Sequence, residues 1–253
     1  MGETVRASAS SLVLVTSGVA APLDGSSAWV VAVDDPRTAY VQVLNAFFSQ
    51  PRPTGIHPSA VISEHASLGE DVYVGPNASI GAASVGSRCV IGAGVVILDD
   101  VTIGDDVTIG PNTTIGFTGF GYARDDDGMP VPFPHYGGVR IGDRVDIGAN
   151  TAVDRGALSD TVIEDDAKVD NLVHVAHNCH IKKGAFVIAH TILCGSVVVG
   201  ERAWAAPNAS VLEHVVIGDD ATVGLAATVI RDVEPGSVVV GSPARALAPR
   251  SSS

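Results

Sequence analysis

Eight histidines are spread over 253 residues, and six of them fall between positions 135 and 214: His135, His174, His177, His180, His190 and His214. Imidazole moves protons near neutral pH more readily than any other side chain, so this half of the chain is where acid–base chemistry is to be sought. His174, His177 and His180, three apart, would converge as metal ligands on a helix. On an extended segment they would face different directions, and no metal would be held. Cys89, Cys179 and Cys194 form no CxxC pair, so neither a disulfide framework nor a cysteine zinc site is expected. What these side chains can do depends on the element that carries them.

That element is a repeat. An aliphatic residue recurs every six positions from Ile56 to Ile80, resumes one residue early at Val85 and continues to Ile115. It returns at Ile141, Ile147 and Val153, then runs unbroken from Ile163 to Val229. Glycine often follows it, as at Gly75, Gly110, Gly148 and Gly200, and a small or branched residue lies four places on. A short strand followed by a tight corner explains this pattern: two side chains per hexad point inward, and glycine is expected to supply unusual backbone angles at the corner. Three strands make a triangular coil of 18 residues, and about 26 hexads make eight to nine coils over one aliphatic core. Proteins with this hexapeptide pattern form a left-handed parallel β-helix, an exception to the right-handed crossover rule. The fold class is all-β, with a small N-terminal α/β cap.

The period gives the domain reading. Residues 1–55 carry two apolar runs, Leu12–Val15 and Trp29–Val33, and a helix-like stretch after Asp35 and Pro36. Residues 56–233 form the β-helix, broken by an aromatic, Gly- and Pro-rich insertion at 117–139; loops that interrupt a regular scaffold are usually functional. Residues 234–253 read as a C-terminal tail.

An 18-residue coil also says which side chains meet. His177 stacks beneath Gly195, and Asn178, Ser196 and His214 fall in the neighbouring column, so two histidines flank Gly195 and Ser196 along one edge of the prism. Coils are about 4.8 Å apart. A general base beside a backbone N–H that binds an oxyanion fits this edge, as does a pair of solvated turn residues. Cys89 and Cys179 occupy inward positions and read as packed thiols, while Cys194, at a corner without a partner to lower its pKa, is a weak nucleophile.

Composition excludes several classes. Charged residues make up 17% of the chain, aromatic residues 5%, and the mean hydropathy is +0.31; this is too apolar for a disordered chain and too rich in Val, Ile and Gly for a helical bundle. A net charge of −13 argues against a nucleic-acid partner. No run of 18 apolar residues occurs, so no integral membrane segment is expected. Leu12–Val15 is too short for a signal-peptide core, and a cytoplasmic location is expected.

Three segments carry a resemblance: GFGYA at Gly119–Ala123, IGDRVDIGANTAVDRGALSDTVI at Ile141–Ile163, and VDNLVHVAHNC at Val169–Cys179. Together they resemble the UDP-3-O-acylglucosamine N-acyltransferases of lipid A biosynthesis, over roughly residues 10–235. The resemblance implies a homotrimer that moves a 3-hydroxyacyl chain from acyl carrier protein to the amine of a UDP-sugar, with no cofactor beyond the phosphopantetheine or CoA thioester of the donor. By position it implies His177 as general base, Gly195 as oxyanion donor and His214 as an assisting group. It implies substrate contacts at Asp170, Asn171, Asn178 and Ser196, with Asp170 and Asn171 orienting the base or holding the pantetheine arm. Thr228 and Ile230 would line the acyl groove, and Arg231, with Arg245 and Arg250, would face the acidic carrier. Ser11–Phe48 resembles only the second half of the family's uridine-binding domain, so a truncated N-terminal domain is expected. The ending Gly241–Arg245 is similar to acyltransferases that use acetyl-CoA. A CoA-dependent amino-sugar acyltransferase and a non-catalytic β-helix that binds or scaffolds are the alternatives.

Overall fold

The computed structural model describes residues 12–16 and 29–246, and the chain divides into two compact units, Met1–Pro51 and Arg52–Ser253. In the first, strands Leu12–Val15 and Trp29–Ala32 pair in parallel. A helix follows over Pro36–Phe48. Its start is written locally: Pro36 occupies the first turn, and the Asp35 carboxylate accepts from the N–H groups of Arg37 at 3.0 Å and Thr38 at 3.3 Å. Arg250 and Ser11 lie outside the described residues.

The second unit is a left-handed parallel β-helix. Its strands, mostly two residues long, stack into three faces. Face one runs from Val61–Ile62 to Thr228–Val229 and has nine strands; face two runs from Ser67–Leu68 to Val216–Ile217 and has eight. Face three begins at Gly55–Ile56 and takes in Val238–Val240, which pairs in parallel with Thr222 and Val223. The coil therefore continues into the segment read as a tail. Arg245–Ala246 then pairs antiparallel with Val239 and Val240.

The register is the one the period demands. Val175 pairs with Leu193, Leu193 with Val211 and Val211 with Val229, each eighteen residues on. Every inward position is aliphatic or small because three strand faces converge on it, and Ile91, Ile115, Val175, Leu193 and Val223 are fully buried. Cys89 and Cys179 are buried in the same positions.

The corners work differently from the expectation. The residue with a left-handed backbone is not the glycine after the aliphatic but the residue two places later: Asn112 (φ 60°), Asn150 (φ 55°), Asn178 (φ 61°), Ser196 (φ 62°) and His214 (φ 63°). Asn and Asp tolerate that region best among side-chain-bearing residues. The glycines are required by the neighbouring coil. A Cβ on Gly110 would stand 2.6 Å from the backbone N of Ala149, and one on Gly200 would stand 2.5 Å from that of Asp219.

Two irregularities interrupt the stack, and both fall near one corner. The insertion leaves face one after Phe117, makes a hairpin of Tyr122–Arg124 with Pro130–Pro132, and rejoins face two at Val139. The second is the segment 155–160, where the period lapses between Val153 and Ile163, so that Val153 pairs with Val175, 22 residues on. The two lie against each other: Tyr136 N–H donates to Ala157 O at 2.7 Å, and Gly138 N–H to the Asp160 carboxylate at 2.8 Å.

Candidate active site

His177 sits at the corner between faces one and two, and its ring is oriented by that pair of irregularities. The Asn178 side-chain amide donates from Nδ2 to Ser159 O and Oγ, both at 3.0 Å, which identifies its other terminus as the acceptor. That Oδ1 accepts from Ala157 N–H at 3.0 Å and faces His177 Nδ1 at 3.1 Å. Nδ1 must therefore carry the proton and donate it to Asn178, which leaves Nε2 with its lone pair free. The contact fixes which ring nitrogen faces the open side of the corner.

Above it lies Gly195. A Cβ there would stand 2.6 Å from His177 Cε1 and 2.8 Å from Nε2, so only glycine leaves room for the ring. At several other corners of the helix, the N–H at this position is taken by a side chain of the next coil. Ser87 N–H goes to Asp105, Asp143 N–H to Asp165, Ala149 N–H to Asn171 and Glu201 N–H to Asp219, at 2.7–2.9 Å. Over Gly195 the next coil offers Glu213 instead, and among the described residues the Gly195 N–H makes no hydrogen bond. An open backbone donor beside an imidazole nitrogen is a pairing that acyl transfer can use.

The coils climb from here as the spacing requires. Ser196 N–H donates to His177 O at 2.9 Å and His214 N–H to Gly195 O at 3.0 Å, placing Asn178, Ser196 and His214 in one column of left-handed corner residues. Arg231 continues the column of His177, Gly195 and Glu213, and is exposed beside Ile230. Ile230, Arg231, Ala244 and Arg245 border a cavity of about 220 Å³ at the C-terminal end. Thr228, on face one, bonds there through its Oγ1 to Ser242 Oγ at 3.0 Å.

Asp170 and Asn171 are placed elsewhere. They turn the corner between faces three and one, so a full strand of face one separates them from His177 within the chain. Asp170 accepts from Asn171 N–H at 2.7 Å and from Ala189 N–H at 3.2 Å. Within the chain the contact to the His177 ring comes from Asn178, the residue next to it.

The structure adds residues that sequence reasoning passed over. Asp154, the first residue of the DRGAL segment, is buried at 6% exposure, one place past Val153, whose pairing with Val175 sets it one coil below the His177 corner, and His135 from the insertion is buried at 8%. His135 donates from Nδ1 to Phe133 O at 2.9 Å and meets the His177 ring edge-on, with centroids 5.2 Å apart. Gly119 closes over both: a Cβ there would stand 2.8 Å from His135 Nε2 and 2.9 Å from His177 Cβ. The signal for Asp154 was available, since an aspartate follows Val153 where other hexads have glycine and the period then lapses. His135 had no signal beyond lying in the insertion. His180 turns away to Glu164, at 2.6 Å on face two. Among the described residues no cluster of His, Cys, Asp or Glu has the arrangement of a metal site. Burial pushes the Cys179 thiol up to about 12, and burial with Glu213 raises that of Cys194, so neither supplies a thiolate.

Known proteins agree with this layout. Residues 82–116 match the bacterial transferase hexapeptide (six repeats) family and residues 136–155 the hexapeptide repeat of succinyl-transferase. A UDP-3-O-acylglucosamine N-acyltransferase of Delftia acidovorans is 45% identical over 75% of this chain, which spans only 56% of that protein's length. The enzyme of that name from Herminiimonas arsenicoxydans is 33% identical over 93% of this chain and 73% of its own. Among solved structures, a UDP-N-acetylglucosamine acyltransferase from Campylobacter jejuni superposes with a TM-score of 0.70 at 26% identity, over 77% of this chain and 74% of that one. Among the described residues no helix is long and apolar enough to cross a membrane. With a hexapeptide coil and a relative of this identity covered over nearly three quarters of its length, the chain belongs to the UDP-3-O-acylglucosamine N-acyltransferase family.

Proposed function

We propose that this chain is an N-acyltransferase that moves an acyl group from a thioester to the amine of a UDP-amino-sugar. The observation that carries the reading is the tautomer-locked Nε2 of His177 beside the open N–H of Gly195. The thioester carbonyl oxygen lies against that N–H, and the acceptor nitrogen attacks the carbonyl carbon. His177 Nε2 takes a proton from the amine as the new C–N bond forms, while the Gly195 N–H holds the oxyanion. The C–S bond then breaks, and the proton on His177 passes to the leaving sulfur. Amide and free thiol are the products. Attack is direct: the thiol of Cys194 is held protonated by burial and by Glu213, so an acyl-enzyme step through it is disfavoured.

His214, two coils above the base, contacts the acceptor or the pantetheine arm. Thr228 and Ile230 line the path of the acyl chain. Asp170 and Asn171, at the far corner of face one, suit a site completed by a neighbouring subunit in the homotrimer that the family resemblance implies. The donor is a 3-hydroxyacyl carrier protein. An acidic carrier fits the exposed Arg231 and Arg245 beside the terminal cavity, in a chain whose net charge of −13 would otherwise repel it.

The test is His177→Ala, assayed by amide formation from 3-hydroxyacyl carrier protein and a UDP-amino-sugar. Loss of the general base lowers kcat by about 10²–10⁴-fold. Full activity in that variant removes His177 from the mechanism.

A further inference from the structure

Among the described residues Asp154 is the one buried carboxylate. It is a carboxylate at 6% exposure, and burial raises its pKa above the ordinary 3.8 with no hydrogen bond to relieve it. Its charge is opposed only by imidazoles: His174 from the next coil of face one, His177 from the corner above and His135 from the insertion. Among the described residues its one ion pair is with His174 Nε2, at 3.8 Å. The adjacent guanidinium is turned away, since Arg155 donates to Gly116 O at 3.0 Å and to Asp99 O, and pairs with Asp100 at 3.6 Å. Cys179, the other titratable group near it, is a neutral thiol.

A buried carboxylate without donors costs stability and persists where its charge is used. The use is set by its neighbours. In taking the acceptor's proton His177 becomes an imidazolium, in a corner closed by Gly119 and by the edge of His135. Water screens that charge poorly. Asn178 fixes the tautomer of His177 but is itself uncharged.

We propose that Asp154 is a positioning residue that acts through His177, its carboxylate stabilising the imidazolium formed when His177 takes the acceptor's proton. The inference rests on the acyl-transfer reading for its purpose, but its physical content is a coupling between two side chains. His174, half exposed, shares the field of Asp154 and moderates it; His135 closes the site on the insertion side and keeps its own proton on Nδ1.

The experiment is a titration of the protein labelled with ¹³C at histidine Cε1, comparing the unmodified chain with Asp154→Asn. An opposite charge nearby raises an imidazole pKa by about 1–2 units, so the His177 midpoint falls by that amount in D154N. The acid limb of kcat/KM moves to lower pH by the same interval, and the plateau falls because the base is weaker. If D154N does not fold, ¹³Cγ of Asp154 in the unmodified chain serves in its place and must show a step at the pH where His177 titrates. A His177 midpoint unchanged in folded D154N, a shift confined to His174, or no shared step at Asp154 overturns the proposal. The titration uses no substrate. A chain that transfers no acyl group yet shows the His177 shift refutes the acyl-transfer reading and leaves the coupling standing.

Discussion

Gly195→Ala is the substitution whose consequence the geometry sets most tightly. The new methyl would stand 2.6 Å from Cε1 and 2.8 Å from Nε2 of His177, where ordinary contact begins at 3.4 Å. The corner backbone cannot yield, because Cys194 N–H and Ser196 N–H on either side are bonded to the coils above and below. The ring must therefore retreat by roughly 0.8 Å, a displacement of the scale that costs about 10²-fold in rate when reacting groups are misplaced. That is about 2.7 kcal/mol of barrier. Gly195 does not have a left-handed backbone, so alanine introduces no φ strain and the fold stays intact. Gly200→Ala is the control, since its methyl would meet the Asp219 backbone at 2.5 Å, away from any histidine. Overpacking there costs about 1–3 kcal/mol of stability, while kcat per folded molecule stays unchanged. Amide formation under saturating donor and acceptor measures the first effect, and thermal unfolding measures the second. A G195A protein with undiminished kcat would refute the placement of His177 over Gly195 as the reacting corner.

Asn178→Leu removes the acceptor that holds the Nδ1 proton of His177; kcat falls by about 10-fold or more, though by less than in His177→Ala, and the same assay reads both. Asp154→Asn is expected to raise the thermal midpoint at pH 7. Its folded pKa lies above the unfolded 3.8, so its contribution is complete below pH 3.8 and is lost as pH rises through the folded value, leaving an unfavourable buried charge at neutrality; a midpoint that falls in a calorimetric scan contradicts this. Arg231→Glu together with Arg245→Glu raises KM for a carrier-protein donor by about 10-fold and leaves KM for the corresponding acyl-CoA unchanged, as steady-state kinetics with each donor will show.

The solenoid was readable because its physics repeats. One inward aliphatic every six residues is enough to specify strand, corner and register, and the stacking of His177 under Gly195, with His214 in the next column, follows from counting. What the period could not convey was chemistry supplied where the period fails. Ser159 and Ala157, which orient Asn178, lie in the segment where the hexads lapse, and His135 arrives on the insertion. Counting also says nothing about which corner a residue turns unless strands are tracked in threes. Asp170 and Asn171, seven residues before His177 and Asn178, are thereby one corner away. The corner glycines were legible as a pattern but not as a cause, since a clash with the next coil's backbone leaves the same trace as a need for positive φ.

A single-turnover reaction followed by intact mass tests the central claim, direct acyl transfer at the His177 corner. Purified protein would be mixed with stoichiometric 3-hydroxyacyl carrier protein and a UDP-amino-sugar, and protein, carrier and sugar would be weighed at successive times. The amide-linked sugar and the free carrier thiol are expected to appear together while the mass of the enzyme never changes. An enzyme that gains the mass of the acyl chain, or that leaves every amine unacylated, would contradict it.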